Sequence, residues 1–346
     1  MKTLKDFPLD QKRILVRCDF NVPLKDSGEI LDDFRIKKTL PTINYLLKKE
    51  AKIILMSHLG KPGGKIVENL RLTNIQQRLM EYLDLSITKA KDCVGPDIEE
   101  RTFKMQSGEI LLLENLRFHK EEKEGDLNFA QKLSKLGDIY INDAFGACHR
   151  SHASIVGVPK YLPAGAGFLL KDEIDNLRRL IEQPKNPMVS IIGGKKVETK
   201  VKLIDRISEI SDFVLIGGLI KKEIDEKKIE LKFPKKIIPP VPGEVEGLDI
   251  GPKTIELFKK KIKLAKTIFW NGPVGQIEDE EFIQGTKALA ETIAESSAFS
   301  AAGGGETIEF INRLGLTDKF NHLSTGGGAM LAFLSGEELP GLEALK

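Results

Sequence analysis

The sequence predicts an α/β protein of two domains, each a parallel sheet covered by helices, and three observations carry that expectation. Strand-like apolar runs alternate with helical periodicity along most of the chain, the pattern of parallel strands joined by crossover helices. The 346 residues are enough for two cores of ordinary size. The residues that follow the strands change character near the middle: cationic in the first half, glycine-rich in the second.

In the first half, Arg13 to Cys18 runs into Asp19, Phe20, Asn21, Val22 and Pro23, and Lys52 to Met56 runs into Ser57, His58, Leu59, Gly60 and Lys61. Glu109 to Leu113 leads into Glu114, Asn115, Leu116, Arg117, Phe118 and His119, and Asp138 to Ile141 into the stretch that carries His149, Arg150 and His152. Between them, Ile36, Leu40, Ile43 and Leu47, and then Ile75, Leu79 and Leu83, recur at helical spacing. Ligands of open parallel sheets bind outside the carboxyl ends of the strands. Arg17, His58, Arg117, His149, Arg150 and His152 therefore converge on one rim with Asp19 and Asn21, and Arg35, just after the capping pair Asp32–Asp33, points to the same rim. One arginine alone reads as a surface side chain. Several at successive strand ends read as a site for a small, highly anionic molecule, because guanidinium groups fork onto phosphate or carboxylate. Asp19 and Asn21 would accept from a ligand hydroxyl.

A joint follows. The run Ala164-Gly165-Ala166-Gly167-Phe168 is small and flexible, a helical pattern extends from Leu169 to Ile181, and Pro184 and Pro187 punctuate it. The expected division is 1–167, an interdomain helix and hinge at 168–185, a second domain at 186–328 and a tail at 329–346.

In the second half the strand ends carry glycine. Met188 to Ile192 meets Gly193 and Gly194, followed by Lys196 in the turn and Lys200 one helical turn on. Phe213 to Ile216 meets Gly217 and Gly218, and Thr267 to Trp270 meets Asn271, Gly272 and Pro273. Ala298 to Ala301 meets Gly303, Gly304, Gly305, Glu306 and Thr307, and His322 to Ser324 meets Thr325, Gly326, Gly327 and Gly328. One Gly-Gly turn is usually only tight packing. Five in one domain read as backbone amides wrapped around a polyphosphate. There is no Walker A sequence and no dinucleotide fingerprint. Glu278 and Glu306 are the carboxylates beside these loops, available to Mg²⁺ or ribose or simply exposed.

Composition sets bounds. With 53 basic and 51 acidic side chains the net charge is +2, which excludes a basic nucleic-acid-binding surface as the organising feature. No apolar stretch approaches a membrane span. Three separated cysteines without a C-x-x-C pair suit a reducing compartment, so a cytoplasmic protein is expected. His149 and His152 lack a completing cysteine or carboxylate set for zinc. No G-x-S-x-G turn supports a serine hydrolase. An anionic small molecule on one half and a polyphosphate on the other point to phosphoryl transfer, which needs alignment and charge neutralisation rather than a protein nucleophile.

These motifs, in this order and over almost the whole chain, resemble those of the phosphoglycerate kinases, in a shortened form. The carrying stretches are Arg17 to Pro23, Ser57 to Gly60, Glu114 to His119, His149 to His152, Gly193 to Val197, Trp270 to Gly275 and Ser324 to Gly328. The resemblance implies two Rossmann-like domains joined by a hinge, a tail returning to the first domain, and a monomer acting on small molecules: 3-phosphoglycerate and ADP/ATP with Mg²⁺. It places Asp19, Phe20, Asn21, Arg35, His58, Leu59, Gly60, Lys61, Arg117 and Arg150 on the phosphoglycerate, with Arg17, His149 and His152 around it. It places Gly194, Lys196, Lys200, Gly217, Gly218, Asn271, Pro273, Glu278, Gly304, Gly305, Glu306 and Thr307 on the nucleotide, with Glu306 as the metal carboxylate. Arg35, Lys196 and the amides of Gly327 and Gly328 would serve the transferring phosphoryl group. Three departures stand out: Lys61 where the family has arginine, Glu306 where it has aspartate, and a deficit of several tens of residues between Leu219 and Gly251, which puts the adenine contact in question. A non-catalytic binding protein derived from the same fold is the alternative reading.

Overall fold

The structure is a computed structural model that describes residues 1–195, 197–243 and 248–346. It divides into two units, Met1–Asp172 with Glu338–Lys346, and Glu173–Glu337. The first unit contains β1 (Arg13–Cys18), α1 (Phe34–Lys48), β2 (Lys52–Met56), α2 (Thr73–Leu83), β3 (Thr88–Lys89), α3 (Pro96–Lys104), β4 (Ile110–Leu112), α4 (Lys120–Glu124), α5 (Leu127–Ser134), β5 (Ile139–Asp143) and β6 (Ala164–Ala166). The division falls inside α6 (Phe168–Glu182). The second unit continues with β7 (Met188–Ile192), α7 (Val197–Ile210), β8 (Phe213–Ile216), α8 (Gly218–Glu226), β9 (Ile237–Ile238), α9 (Pro252–Leu264), β10 (Thr267–Asn271), α10 (Gln284–Ala294), β11 (Phe299–Gly303), α11 (Gly305–Arg313), β12 (His322–Ser324) and α12 (Gly327–Leu334), and the chain ends with α13 (Pro340–Glu343) in the first unit.

The first sheet has the order β3-β4-β2-β1-β5-β6 and the second β12-β11-β10-β7-β8-β9. All of the pairings are parallel. Central strands of such sheets are covered on both faces and read as continuous apolar runs. Ile14, Leu15 and Val16 of β1 and Ile53, Ile54 and Leu55 of β2 are accordingly all fully buried.

Register sets the height of each strand end. Arg17 pairs with Met56 on one side and with Asn142 on the other, so the chain after β1, β2 and β5 leaves the sheet at one level. In the second unit Ile192 pairs with Ile216 and Asn271, Asn271 with Gly303, and Gly303 with Ser324, so five strand ends form a single row. In each unit the first strand sits between neighbours reached in opposite directions, β1 between β2 and β5, β7 between β8 and β10. A crevice opens at such a switch point.

Three expectations change. The run expected as a flexible joint is the edge strand β6, paired with β5 along Ala164, Gly165 and Ala166. Small residues hide it from any apolar-run criterion but still make ladder hydrogen bonds. Asp33 holds the N-cap position of α1 without a side-chain cap bond, and the preceding Asp32 supplies one, its Oδ1 accepting from Phe34 N at 2.7 Å. Asp33 instead binds Arg78, Lys37 and Tyr82. The Lys/Glu- and Pro-rich segment after Gly218 still supplies α8 and a two-residue sixth strand, β9.

The two glycine turns at the second switch point lie backbone against backbone. A side chain at Gly193 would meet Pro273 O at 2.1 Å, and one at Gly272 would meet Gly193 O at 2.2 Å. Gly272 also has φ +90°, a left-handed conformation that disfavours any Cβ. Gly272→Ala is therefore expected to destabilise the second unit by about 2 kcal/mol or more. The probe is the protein's single tryptophan, Trp270, which is fully buried and donates Nε1–H to Gly272 O at 2.8 Å. An unchanged urea midpoint for loss of its buried emission would contradict the clash.

Candidate active site

The first crevice is built on a buried guanidinium. Arg17 has no exposed surface. Its Nε donates to Ser154 Oγ at 2.8 Å, Nη1 to Cys18 O, and Nη2 to His58 Nδ1 at 3.1 Å. Its charge is balanced by Glu122, also fully buried, with Oε1 at 3.9 Å from Nη2. Glu122 is held in turn by Ser154, which donates N–H at 2.9 Å and Oγ–H at 2.6 Å. Desolvated charges are tolerated only when paired and hydrogen-bonded like this. Neither Glu122 nor Ser154 was singled out in the sequence, because neither stands at a strand end.

Around that anchor the expected residues converge. Arg35 Nη1 lies 3.2 Å from Asp19 Oδ2 and donates to Asn21 O at 2.8 Å. Asn21 Oδ1 accepts from Gly60 N at 2.8 Å, and Arg117 Nη1 donates to Gly60 O at 2.6 Å. Phe20 and Leu59 are buried and act through backbone, Phe20 N donating to Ser57 Oγ and Leu59 N to Asn115 Oδ1. Asn115 also donates to Leu59 O and Leu70 O, so one buried amide pins the turn that carries His58 and Gly60. Arg150 Nε donates to His149 Nε2 at 3.2 Å. Lys61 is exposed.

The electrostatics show how close these groups are. Burial, then the charges of Arg17, Arg117, Arg150 and Arg35, hold the His58 imidazole well below its ordinary range. Burial followed by Arg17, Arg117, Arg150 and Lys123 pushes His152 down to about 3. Glu122 lies 3.7 Å from His152 Nδ1 but is already committed to Ser154 and Arg17. Arg117 itself falls to about 10, through burial and its arginine neighbours. Both histidines are therefore neutral at pH 7, and the guanidinium charges outnumber Asp19 and Glu122. The crevice carries an excess of positive charge.

The second crevice is lined by main chain. Gly194 N donates to Pro273 O at 2.8 Å, Gly193 N to Asn271 O at 3.0 Å, Gly217 N to Ile192 O at 2.9 Å and Gly272 N to Thr307 Oγ1 at 2.9 Å. Asn271 Nδ2 donates to Gly303 O, tying two strand ends together. Gly304, with φ +104°, turns β11 into α11, and Gly327 at the start of α12 packs against Gly304 and Gly305. Two helix N-termini thus lie side by side, each with amides lacking intrahelical partners. Gly218 starts a third such helix. Lys200 is buried, donates to Asn271 O at 3.2 Å and to its Oδ1, and burial lowers its ammonium to about 8, with Glu306 opposing. Lys196 lies outside the described residues.

Glu278 is exposed and bonded to Lys195 at 2.7 Å. Both residues, with Gly194, Pro273, Glu306, Leu219, Lys222, Leu248 and Val274, line a cleft beside the cradle. Leu219, Lys222 and Leu248 come from the segment in which the sequence offered no contact. Below the cradle, Glu173 accepts from Thr325 N at 2.6 Å and Thr325 Oγ1 at 2.7 Å and pairs with His322 at 2.9 Å, fixing the turn before Gly326 to Gly328.

A family model described as Phosphoglycerate kinase matches residues 4–228 and 220–337. The phosphoglycerate kinase of Dictyoglomus turgidum is 43% identical, with 99% of this chain and 98% of the relative covered. That of Moorella thermoacetica is 42% identical at the same coverage. Among solved structures, the phosphoglycerate kinase of Pyrococcus horikoshii superposes with a TM-score of 0.89 at 34% identity, covering 100% of this chain and 98% of that one. Among the described residues no helix is long and apolar enough to cross a membrane.

The depressed histidine gives a pH prediction with a definite sign. Between pH 6.5 and about 3 the unfolded chain protonates His152 and the folded chain does not, so its contribution is intact above pH 6.5 and declines as pH falls. Replacing it removes roughly 1.4 kcal/mol of stability loss per pH unit across that window. Asp143, raised to about 7 by burial, slopes the other way and is common to both proteins. The difference between wild type and His152→Gln in urea unfolding at several pH values isolates the effect, and parallel curves would refute it.

Proposed function

The chain belongs to the phosphoglycerate kinase family, and from that premise we propose how its residues divide the work of moving a phosphoryl group between 1,3-bisphosphoglycerate and ADP. The first unit holds the phosphoglycerate. The observation that carries this assignment is that Arg17, Arg35 and Arg117 gather on the turns after β1 and β2 around one buried imidazole, His58, at the carboxyl edge of the sheet. Arg35, Arg117 and Arg150 meet the ligand's phosphate and carboxylate. Asp19 and Asn21 take its hydroxyl. Arg17, which has no exposed surface, positions His58 and adds to the field without touching the ligand. His149 and His152 remain neutral and complete the wall.

In the second unit the amides of α11 and α12 and the ammonium of Lys200 hold the nucleotide phosphates. Leu219, Leu248 and Val274 supply apolar surface for the base, and Lys195 and Glu278 close its rim. Glu306, exposed at the first turn of α11 and lining the same cleft, fits Mg²⁺, which takes one or two carboxylates and completes its shell with phosphate oxygens and water. The ion, when bound, neutralises charge on the phosphates. An oxygen of the ADP β-phosphate attacks the acyl phosphorus, the bond from phosphorus to the carboxyl oxygen breaks, and 3-phosphoglycerate leaves as the carboxylate. Arg35 and Lys196 neutralise the transferring group, and the amides of Gly327 and Gly328 stabilise its oxygens. The two ligands are assigned to different units. Three free, buried cysteines support a reducing, cytoplasmic setting.

In a coupled assay, Arg35→Ala and Lys196→Ala are each expected to reduce turnover about a hundredfold or more, roughly 3 kcal/mol of transition-state stabilisation, with the fold retained. Turnover within a few-fold of wild type in both variants would reject the roles. Lys200 adds a calorimetric test. It is half-deprotonated near pH 8 in the free protein. ADP favours the ammonium, so binding should take up a proton above that pH. Titrations in two buffers of different ionisation enthalpy read this uptake, and it should vanish in Lys200→Gln.

A further inference from the structure

In the first unit, Asp92, Cys93 and His119, none of which is assigned to phosphoglycerate, bring a carboxylate oxygen, Sγ and a ring nitrogen within 4.8 Å of one another. Asp92 and Cys93 occupy the loop between β3 and α3. His119 follows the strand end that carries Arg117 and precedes α4. The carboxylate organises the group: Asp92 Oδ1 lies 2.7 Å from His119 Nε2 and accepts from Cys93 N at 2.6 Å. Cys93 is fully buried, whereas the Asp92 side chain is half exposed and His119 about one quarter exposed. The cluster thus has a closed floor of sulfur and a face open to solvent.

We propose that Asp92, Cys93 and His119 form a binding site for a borderline-soft divalent cation of the Zn²⁺ type, with water in the fourth position. Thiolate, imidazole and carboxylate are a donor set that favours such ions over Mg²⁺. Tetrahedral bonds of roughly 2.0–2.3 Å separate ligand atoms by about 3.5 Å, so the three atoms need shift by only about 1 Å. Binding replaces protons with the ion: the thiol proton leaves to solvent, and a doubly protonated imidazole gives up one more. The surrounding field is anionic, with Glu122 acting on the thiol and Glu121 on the imidazole. Because the ion displaces protons from its ligands, affinity increases with pH. The bound ion would clamp the loop after β3 to the segment bearing Arg117. Glu114 N already donates to Asp92 O at 3.3 Å from that segment.

Co²⁺ is the probe, added to the full-length, reduced protein without nucleotide. A thiolate-to-cobalt charge-transfer band with visible d–d bands, saturating at one ion per chain and bleached by Zn²⁺ but not by Mg²⁺, is the expected result. Cys93→Ser and His119→Gln should each abolish the charge-transfer band. His119 is partly exposed, so His119→Gln tests the proposal even if Cys93→Ser folds poorly, with circular dichroism reporting its fold. Absence of the band in wild type, or its persistence in His119→Gln, overturns the site.

Discussion

Every strand within a sheet points the same way, and this single constraint gathers the functional chemistry. In a parallel sheet all chain exits of one kind lie along one edge, so residues far apart in sequence become neighbours merely by following a strand. Register sharpens the effect. Arg17 stands level with Met56 and Asn142, so the segments that follow carry Asp19, His58 and Arg150 into one crevice. In the second unit, Ile192, Ile216, Asn271, Gly303 and Ser324 form one row, and the glycines after them crowd a second crevice.

In the proposed reading, the two crevices would bind anions by different physical means. The first uses full charges held too close together for their own comfort, as the lowering of Arg117 to about 10 by burial and its arginine neighbours makes plain. Such a site is preorganised: the repulsion is borne by the folded protein and relieved when an anion enters. It can be built only because Arg17 is anchored below it by Glu122 and Ser154, where a buried charge has both a counter-charge and hydrogen bonds. The second crevice uses dipoles. Amides at the starts of α11 and α12 cannot be deprotonated and would hold phosphate oxygens without repelling one another. Lys200, a buried cation there, is tuned by desolvation rather than by like charge.

Much of this was legible in the sequence because strand ends are easy to find: an apolar run that stops at a charged or glycine-rich turn. Arg13–Cys18, Lys52–Met56, Met188–Ile192, Phe213–Ile216 and His322–Ser324 occur with the expected bounds. Elements without such a run were missed. β3 and β9 are two residues long, and β6 is Ala-Gly-Ala. The supporting residues were hidden for a different reason. Glu122, Ser154 and Glu173 lie in helices, turns and loops and reach their partners only through tertiary packing, so no local spacing marks them. Asp32 and Asp33 show the limit of cap reading: adjacent, chemically identical, and separated only by which one the helix start and which one Tyr82 happens to face.

The compact segment after Gly218 bears on whether the second crevice is complete. The alignment with the Dictyoglomus turgidum relative runs over 388 residues, more than the 346 of this chain, and the family match breaks at 220–228. In the sheet, β8 and β9 lie on the side of β7 opposite β10, whereas the cradle is made by the turns after β7, β10, β11 and β12. Shortening beyond α8 therefore trims the flank of the sheet and leaves the backbone-on-backbone contact of Gly193 with Gly272 and Pro273 intact. Gly217 still packs against Gly193 and Val274, which fixes where α8 starts and hence where Leu219 and Lys222 face the cleft. Leu248, on the far side of the shortened stretch, meets the same cleft and supplies its carbonyl to Gln276 N at 2.7 Å. A fold that positions phosphate through the sheet's centre and the base through its flank can lose length from the flank while its phosphate geometry stays in place.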